Sequence, residues 1–215
     1  QLRAVLTDVL LPIALAVPMF LFFTGKLREL AIAHRHLTVY ASTDGLTQVM
    51  NRAAFSTLVD AYLRDVHSSA ERATGALLII DADNFKAVND RYGHDRGDEA
   101  LIAIATAIKA MLRAPDIVGR LGGEEFGVFL PGANADQAER VAERIRASVN
   151  ATPFAPAGTT HELSVSVGGA VFGATLPFAD LFRVADRQLY AAKQHGRNRV
   201  EIVPIGGDGA GLAAA

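Results

Sequence analysis

The stretch RLGGEEF, residues 120–126, joins two glycines to two acidic residues. Because glycine carries no Cβ, Gly122 and Gly123 permit a tight turn and a close approach of the backbone to a ligand. Glu124 and Glu125 follow directly, and apolar residues lie on both sides. The pattern predicts a β-hairpin with an acidic tip. Such a tip suits a metal-bound, phosphate-bearing substrate, although an ordinary turn with solvated carboxylates would contain the same residues.

Composition limits the class of protein. The chain has 215 residues, half of them hydrophobic, which is enough for one sizeable domain and an appendage. The formal net charge of -2 gives no sign of a nucleic-acid-binding surface, so we expect no nucleic-acid partner. The sequence contains no cysteine, which excludes disulfides and thiolate-bound metals. Because the first residue is Gln1 rather than Met, we expect a fragment of a longer protein.

The N-terminal region has the composition of a membrane segment. The run from Ala4 to Thr24 contains a single charged residue, Asp8. It just reaches the length of about 20 apolar residues that a bilayer-spanning helix needs. Lys26 and Arg28 follow closely, which would place the downstream chain in the cytoplasm. We therefore predict attachment to the inner (cytoplasmic) membrane, with a buried core helix as the alternative.

The sequence divides into four parts. Residues 1–25 are the predicted end of a transmembrane helix. Residues 26–42 form a predicted connecting helix, which could pair with its twin or be a solvated linker. Residues 43–203 form the predicted globular domain, and residues 204–215 a flexible tail.

Hydrophobic patterning within the domain predicts the order helix, strand, helix, hairpin, helix, strand, helix, strand. A hairpin among alternating helices and strands favours an α/β (α+β) fold with a mixed sheet flanked by helices. A purely parallel, doubly wound sheet fits this order less well. The predicted elements span residues 51–63, 75–80, 97–112, 117–130, 134–149, 163–172, 178–194 and 200–203.

A second acidic group follows the first predicted strand of the domain. Asp81 is well placed for a ligand, because a strand fixes the position of the exposed loop that follows it. Asp83 would share the same face if the chain stays extended, or it could belong to an ordinary turn. Mg²⁺ commonly takes one or two carboxylates together with substrate phosphates. Asp81 with Glu124 or Glu125 would form such a site.

Other polar residues have the chemistry to bind a nucleotide. Asp98 could accept two hydrogen bonds from the edge of guanine, or it could merely complement a helix dipole. Asn89 could read the same edge, because an amide both donates and accepts. Lys193 and Arg197, four residues apart near a predicted helix end, could hold a β- or γ-phosphate or simply cap the helix. His94 has no second histidine nearby in the sequence, which favours a loop residue over a metal ligand.

Six groups of motifs occur together in chain order. They are residues 43–47 with Asn51-Arg52, residues 81–86 with Asn89-Asp90, residues 92–94 with Gly97-Asp98, residues 120–126, residues 166–168, and residues 185–200. In this combination the chain resembles the GGDEF family of diguanylate cyclases, in its GGEEF variant. The resemblance implies a central, mainly antiparallel sheet flanked by helices, similar to class III nucleotidyl cyclases and the palm of some polymerases.

The resemblance implies that two GTP molecules condense into cyclic di-GMP with release of two pyrophosphates. It implies Mg²⁺, with Mn²⁺ as a substitute, held by Asp81, the backbone carbonyl of Ala82, and the acids of the hairpin. Glu124 is implied as general base and metal ligand, and Glu125 as its metal-binding neighbour. The substrate-binding residues that it implies are Phe85, Lys86, Asn89, His94, Asp98, Gly122, Gly123, Lys193 and Arg197.

The resemblance also implies assembly and regulation. Because one domain would hold one GTP, two domains must face each other across a two-fold axis as a homodimer. Arg113 and Asp116 match the family's inhibitory site, where cyclic di-GMP would bind as an allosteric inhibitor. Without the family, they are interpreted as a helix-end arginine and a turn aspartate.

Two positions depart from the family pattern. Gln48 stands where the family has a small residue, and Gly169 is a mild change in a predicted strand. Neither removes a predicted catalytic group, and Glu124 in place of aspartate keeps the carboxylate. We therefore favour an active enzyme over a silent receptor for GTP or cyclic di-GMP. A cyclase for another nucleotide is a third possibility.

Overall fold

The computed structural model describes residues 16–26, 28, 42–68, 74–174 and 176–205. These residues belong to two compact units, which divide between Ala41 and Ser42.

In the first unit, residues 16–26 are helical and exposed. Within the described ranges, no helix combines the length and the apolar character that a membrane crossing requires. Much of the predicted membrane segment, most of the connecting helix and most of the tail lie outside the described residues, so these assignments remain predictions.

The second unit is built on a mixed sheet. Its strands are β1 (Met50–Asn51), β2 (Gly75–Ala82), β3 (Ile117–Gly122), β4 (Glu125–Pro131), β5 (Val165–Phe172) and β6 (Val200–Ile205). They lie in the order β1-β3-β4-β2-β5-β6. The three inner pairings are antiparallel, whereas β1 pairs with β3 and β6 pairs with β5 in parallel. The predicted fold class, a mainly antiparallel mixed sheet, is confirmed.

Helices cover both faces of this sheet. They are α1 (Arg52–Ser68), α2 (Phe85–Tyr92), α3 (His94–Ala110), α4 (Ala135–Asn150) and α5 (Phe178–Gln194), with a 3₁₀ turn at Pro156–Gly158. Strand β2 alternates between two hydrophobic cores, since successive side chains point to opposite faces. Leu78 and Ile80 pack in one core with residues of α3 and α4. Leu77 and Ile79 pack in the other core with residues of α1 and α5.

Burial on both faces explains the continuous apolar run of β2, because all eight of its residues are buried. The apolar run stops after Ile80. The next residue, Asp81, lies near the end of β2, at the rim of the sheet.

Close packing of α5 on β5 fixes where α5 ends. A Cβ built on Gly168 would lie 2.0 Å from the backbone nitrogen of Leu189 and 2.4 Å from the carbonyl oxygen of Ala185. Only glycine permits this approach of helix to strand. The C-terminal turn of α5 therefore lies near the end of β2.

The structure differs from the sequence prediction at short and weakly patterned elements. Helix α2 was not predicted, because Val88 is the only buried residue among its eight and gives no apolar periodicity. Strand β1 has two residues, too few for a pattern. Helix α3 begins at His94 rather than at residue 97, and β5 begins at Val165 rather than at residue 163.

Candidate active site

The hairpin and the end of β2 meet at one rim of the sheet. The antiparallel register of β2 and β4 places Asp81 opposite Glu125. The backbone nitrogen of Ala82 donates to the carbonyl oxygen of Glu124 at 3.3 Å. The acidic tip, Glu124 and Glu125, therefore lies beside the carboxylate that ends the buried strand.

Two glycines shape the turn of the hairpin. Gly122 has φ 155 and Gly123 has φ 46, both outside the range that other L-residues readily adopt. The register between β3 and β4 shifts between Arg120 and Gly122. A Cβ at either glycine would meet no atom within 4 Å, so the space beside the turn is open.

Lysine from α5 completes the rim. Lys193 Nζ lies 2.9 Å from Asp81 Oδ2, and the Asp81 side chain is only 9% exposed. Burial raises the pKa of Asp81 above its ordinary value. Lys193 lowers this pKa, whereas the carboxylates of Glu124 and Glu125 raise it. The rim therefore places two further carboxylates and the ammonium group of Lys193 around one buried carboxylate, Asp81.

The donor set at the rim fits a hard divalent cation. Asp81, Glu124 and Glu125 supply carboxylate oxygens, and the Ala82 carbonyl is close in the chain. Within the ranges that the structure describes, no group of three or more such side chains forms a ready-made metal cage. Mg²⁺ typically uses one or two carboxylates and takes its remaining ligands from water and substrate phosphates. Asp81 together with Glu124 or Glu125 provides that number of carboxylates.

The loop between α5 and β6 carries the second predicted phosphate contact. Arg197 is exposed and has φ 63, so its backbone is left-handed. Its backbone nitrogen donates to the carbonyl oxygen of Ala192 at 3.0 Å, which closes the end of α5. Lys193 and Arg197 thus stand on one helix end, and Lys193 reaches the strand end directly.

The predicted guanine-reading residues are brought together where α2 packs on α3. A Cβ built on Gly97 would lie 1.9 Å from Asn89 Oδ1 and 3.2 Å from Phe85 Cζ. Asn89 therefore rests directly against Gly97, and Asp98 is the next residue of α3. Lys86 stands beside Phe85 in the first turn of α2.

His94 is the first residue of α3 and is exposed. No hydrogen bond, ion pair or metal cluster involving it is seen in the described part of the chain. Its predicted contact with substrate stays a prediction.

One arginine clamps the hairpin tip. Arg120 donates to the carbonyl oxygen of Gly123 through Nε at 2.9 Å and through Nη2 at 2.7 Å. Its Nη1 lies 3.1 Å from Asp44 Oδ1. Arg120 and Asp44 belong to separate motifs of the sequence analysis and were not paired there, because they lie 76 positions apart in the chain.

Asp44 is itself held in a compact turn. Its Oδ1 accepts from the backbone nitrogen of Thr47 at 2.9 Å and from Thr47 Oγ1 at 2.7 Å. Burial acts to raise the pKa of Asp44, but the hydrogen bonds from Thr47 and Arg120 outweigh it and lower the pKa. The carboxylate therefore stays charged and keeps the clamp on the hairpin intact.

Arg113 and Asp116 form a separate polar group before β3. Arg113 Nε lies 3.0 Å from Asp116 Oδ1, and Arg113 Nη2 donates to the carbonyl oxygen of Pro131 at 2.9 Å. Both residues line a depression of about 260 Å³ together with Arg140 and Arg144 of α4. The sequence did not single out these two arginines, because charged residues are ordinary on the solvated face of an amphipathic helix.

The family comparison covers nearly the whole second unit. The model described as "Diguanylate cyclase, GGDEF domain" matches residues 41–199. The chain is 40% identical over 169 residues to a probable diguanylate cyclase, DgcE, of Escherichia coli K12, covering 78% of this chain and 15% of that protein. It is 38% identical over 180 residues to diguanylate cyclase A of Treponema denticola, covering 83% of this chain and 48% of that protein. The chain thus spans less than half the length of either relative.

Solved structures share the fold. The GGDEF domain of DgcB from Caulobacter crescentus in complex with c-di-GMP aligns with a TM-score of 0.72 and 32% identity, over 75% of this chain and 93% of that chain. The active GGEEF domain of a diguanylate cyclase from Vibrio cholerae aligns with a TM-score of 0.66 and 31% identity, over 72% of this chain and 97% of that chain.

Proposed function

Because the chain belongs to the GGDEF family of diguanylate cyclase domains, we propose that it condenses two GTP molecules into cyclic di-GMP. The observation that carries this proposal is the pairing of Asp81 with Glu125 across β2 and β4, with Lys193 on Asp81. Two carboxylates and a cation at a fixed strand end can hold a metal-bound triphosphate. The named cyclases among the relatives and the c-di-GMP complex of a similar domain support the substrate class.

The reaction requires a 3′-hydroxyl of one GTP to attack the α-phosphorus of the other. A new P–O bond forms, the bond from this phosphorus to the oxygen that bridges to the β-phosphate breaks, and pyrophosphate leaves. The same step with the roles of the two nucleotides exchanged closes the ring and releases the second pyrophosphate. Mg²⁺, or Mn²⁺ in its place, would offset charge on the phosphate oxygens and lower the pKa of the attacking hydroxyl. Glu124 is the residue proposed to accept the proton of that hydroxyl.

The remaining residues bind and orient. Lys193 and Arg197 hold the terminal phosphates, and Asp81 with the acidic tip provides the metal ligands. Asn89 and Asp98 fix the guanine base, so that the α-phosphorus is presented to the attacking hydroxyl. Positioning of this kind supplies a large part of the rate of phosphoryl transfer.

Two domains are needed for one product molecule. Each rim offers one set of ligands for one triphosphate, so the product requires two rims facing each other in a homodimer. We place this dimer in the cytoplasm, where GTP is available, and its N-terminal segment at the inner membrane. Fractionation of cells that express the chain with and without residues 1–25 tests the membrane part. Equal recovery of both forms in the membrane pellet would contradict it.

The test of the function is identification of the product. Purified chain incubated with GTP and Mg²⁺ should yield cyclic di-GMP by mass spectrometry. Glu124→Gln should lower the rate by about 10²–10⁴-fold, as expected for loss of a general base, while retaining GTP binding. Glu139→Gln, which changes an exposed carboxylate on α4, is the control and should leave the rate unchanged.

Each alternative gives a different result in the same assay. A receptor would bind GTP or cyclic di-GMP without forming product. A cyclase for another nucleotide would consume that nucleotide in preference to GTP. Turnover by Glu124→Gln at the wild-type rate would refute the role assigned to this glutamate.

We propose that the depression at Arg113 and Asp116 binds the product. Arginine can grip phosphate or stack on guanine, and the depression presents three arginines beside one aspartate. The inhibition constant for cyclic di-GMP should rise about tenfold or more in Arg113→Ala, because a charge-assisted contact is worth roughly 1.5–3 kcal/mol. Arg187→Ala, an exposed arginine of α5, is the control. An unchanged inhibition constant in Arg113→Ala would show that inhibition acts elsewhere.

A further inference from the structure

The loop that follows α5 has an unusual backbone. Gly196, Arg197 and Asn198 have φ values of 113, 63 and 45, so three consecutive residues lie on the left-handed side. A left-handed conformation is strained for a residue other than glycine, because its Cβ approaches the following carbonyl oxygen. Such strain persists only where surrounding contacts over-determine the conformation.

Side chains from two other elements hold this loop. The backbone nitrogen of Asn198 donates to Asp83 Oδ2 at 3.0 Å. Arg146 of α4 donates through Nη1 to Asn198 Oδ1 at 2.9 Å. Asn198, the residue after Arg197, is therefore fixed by one hydrogen bond to its backbone and one to its side chain.

The carboxylate of Asp83 is in turn fixed by β5 and the residue before it. Ser166 Oγ donates to Asp83 Oδ1 at 2.6 Å, and Ser164 Oγ donates to Asp83 Oδ2 at 3.0 Å. The backbone nitrogen of Asp83 also donates to the carbonyl oxygen of Ser164 at 2.9 Å. Ser166 is fully buried, so its hydroxyl depends on this contact. Asp83 thus accepts from three donors and serves as an anchor.

Asp81 and Asp83 therefore contact different parts of the molecule. Asp81 contacts Lys193 at the rim. Asp83 has its two oxygens engaged by Ser164, Ser166 and the α5–β6 loop. The carboxylate of Asp81 therefore lies at the proposed ligand site, whereas the carboxylate of Asp83 connects the α5–β6 loop to the end of β2.

We propose that Asp83 is a positioning residue that holds the α5–β6 loop so that Arg197 reaches the terminal phosphates of the nucleotide. This inference rests on the proposed function, because it deepens the role given to Arg197. Loss of Asp83 should weaken the contact to the β- and γ-phosphates and leave the contacts to the base intact.

The experiment compares two ligands by calorimetry in Mg²⁺. One is a GTP analogue whose α–β bridging oxygen is replaced by methylene, so that pyrophosphate cannot leave. The other is GMP, which lacks the terminal phosphates. Asp83→Ala should weaken binding of the analogue about tenfold and change GMP binding less than twofold. Glu139→Ala is the control and should change neither affinity.

A double-mutant cycle tests whether Asp83 acts through Arg197. If it does, Asp83→Ala combined with Arg197→Ala binds the analogue no more weakly than Arg197→Ala alone. Fully additive losses, or an equal loss of GMP and analogue affinity in Asp83→Ala, would overturn the inference. Ser166→Ala keeps the carboxylate and removes one of its donors. Should Asp83→Ala fail to fold, Ser166→Ala must show the same ligand selectivity with a smaller loss, and wild-type affinity for the analogue would overturn the inference.

The binding experiment is independent of turnover. A wild-type chain that binds the analogue but forms no cyclic di-GMP would contradict the proposed function and leave the role of Asp83 measurable. A chain that forms cyclic di-GMP and keeps full analogue affinity in Asp83→Ala would contradict this inference alone. Failure of the wild-type chain to bind the analogue would overturn both.

Discussion

At the scale of single residues, neighbouring carboxylates are distinguished by their partners. Asp81 faces Lys193, whereas Asp83 accepts from two serines and a backbone nitrogen. The spacing of two residues, which predicted a shared face for an extended chain, missed that β2 ends at Ala82 and that Asp83 lies in the following turn. It could not predict the partners of Asp83, because they come from β5 and from the α5–β6 loop, more than 80 residues away.

Gly97 offers a residue-level test of base recognition. A methyl group at this position would lie 1.9 Å from Asn89 Oδ1, so Gly97→Ala must displace the Asn89 side chain. If Asn89 reads guanine, the KM for GTP should rise about tenfold, as for loss of one hydrogen bond in a desolvated site. Steady-state kinetics with GTP measure this change.

The matched control for Gly97→Ala is Gly45→Ala, where an added Cβ meets no atom within 4 Å. We expect Gly45→Ala to leave the KM unchanged. A wild-type KM in Gly97→Ala, in a variant whose thermal unfolding is unaltered, would argue against Asn89 as a base-reading residue.

At the scale of elements, prediction succeeded where an element had a long apolar pattern or a distinctive turn sequence. The apolar run of β2, the periodic faces of α3 and α4, and the Gly-Gly turn of the hairpin were all visible in the sequence. Helix α2 was not, because its position depends on Asn89 and Phe85 packing against Gly97 rather than on an apolar face. The ion pair between Arg120 and Asp44 was not predicted either, because the two residues belong to motifs far apart in the sequence.

The departure at Gln48 has a structural consequence for the turn before β1. Gln48 has φ 57, a left-handed conformation that suits the small residue usual in the family. Gln48→Gly should stabilise the second unit by about 0.5–1 kcal/mol, because relief of left-handed strain exceeds the added flexibility of glycine. Urea unfolding with an unchanged m-value measures the gain.

The same substitution inside a helix should have the opposite sign. Gln188→Gly lies in the interior of α5 and should destabilise by about 1 kcal/mol. If Gln48→Gly destabilises to a similar extent, the side chain of Gln48 contributes more than its backbone costs. The hydrogen bond from Gln48 Nε2 to the carbonyl oxygen of Gly45, at 3.1 Å, would be the first contact to examine.

At the scale of the second unit, the two polar sites lie at opposite ends of β3. The acidic tip follows the end of β3, and Arg113 and Asp116 precede its start. A strand of this length separates them by about 20 Å. Product bound near Arg113 therefore cannot contact the metal ligands of the same domain, so inhibition would act through the arrangement of domains.

The sequence could specify the fold class of this unit, because each motif has a distinct chemistry and position, whereas the roles of the site residues stay predictions. The sequence could not specify the contacts between residues of different motifs. Asp44 with Arg120, Asp83 with Asn198, and Gly97 with Asn89 are contacts that only the folded chain reveals.

We propose that Asp81 and the acidic tip share one divalent ion with the triphosphate. Electron paramagnetic resonance of Mn²⁺, titrated in the presence of the methylene GTP analogue, measures that ion directly. We expect Asp81→Asn to weaken Mn²⁺ binding at least tenfold, and the joint change of Glu124 and Glu125 to glutamine to do the same. The control, Glu139→Gln, should bind Mn²⁺ with the wild-type affinity. Wild-type Mn²⁺ affinity in Asp81→Asn or in the Glu124 and Glu125 double variant would show that these carboxylates do not share the ion.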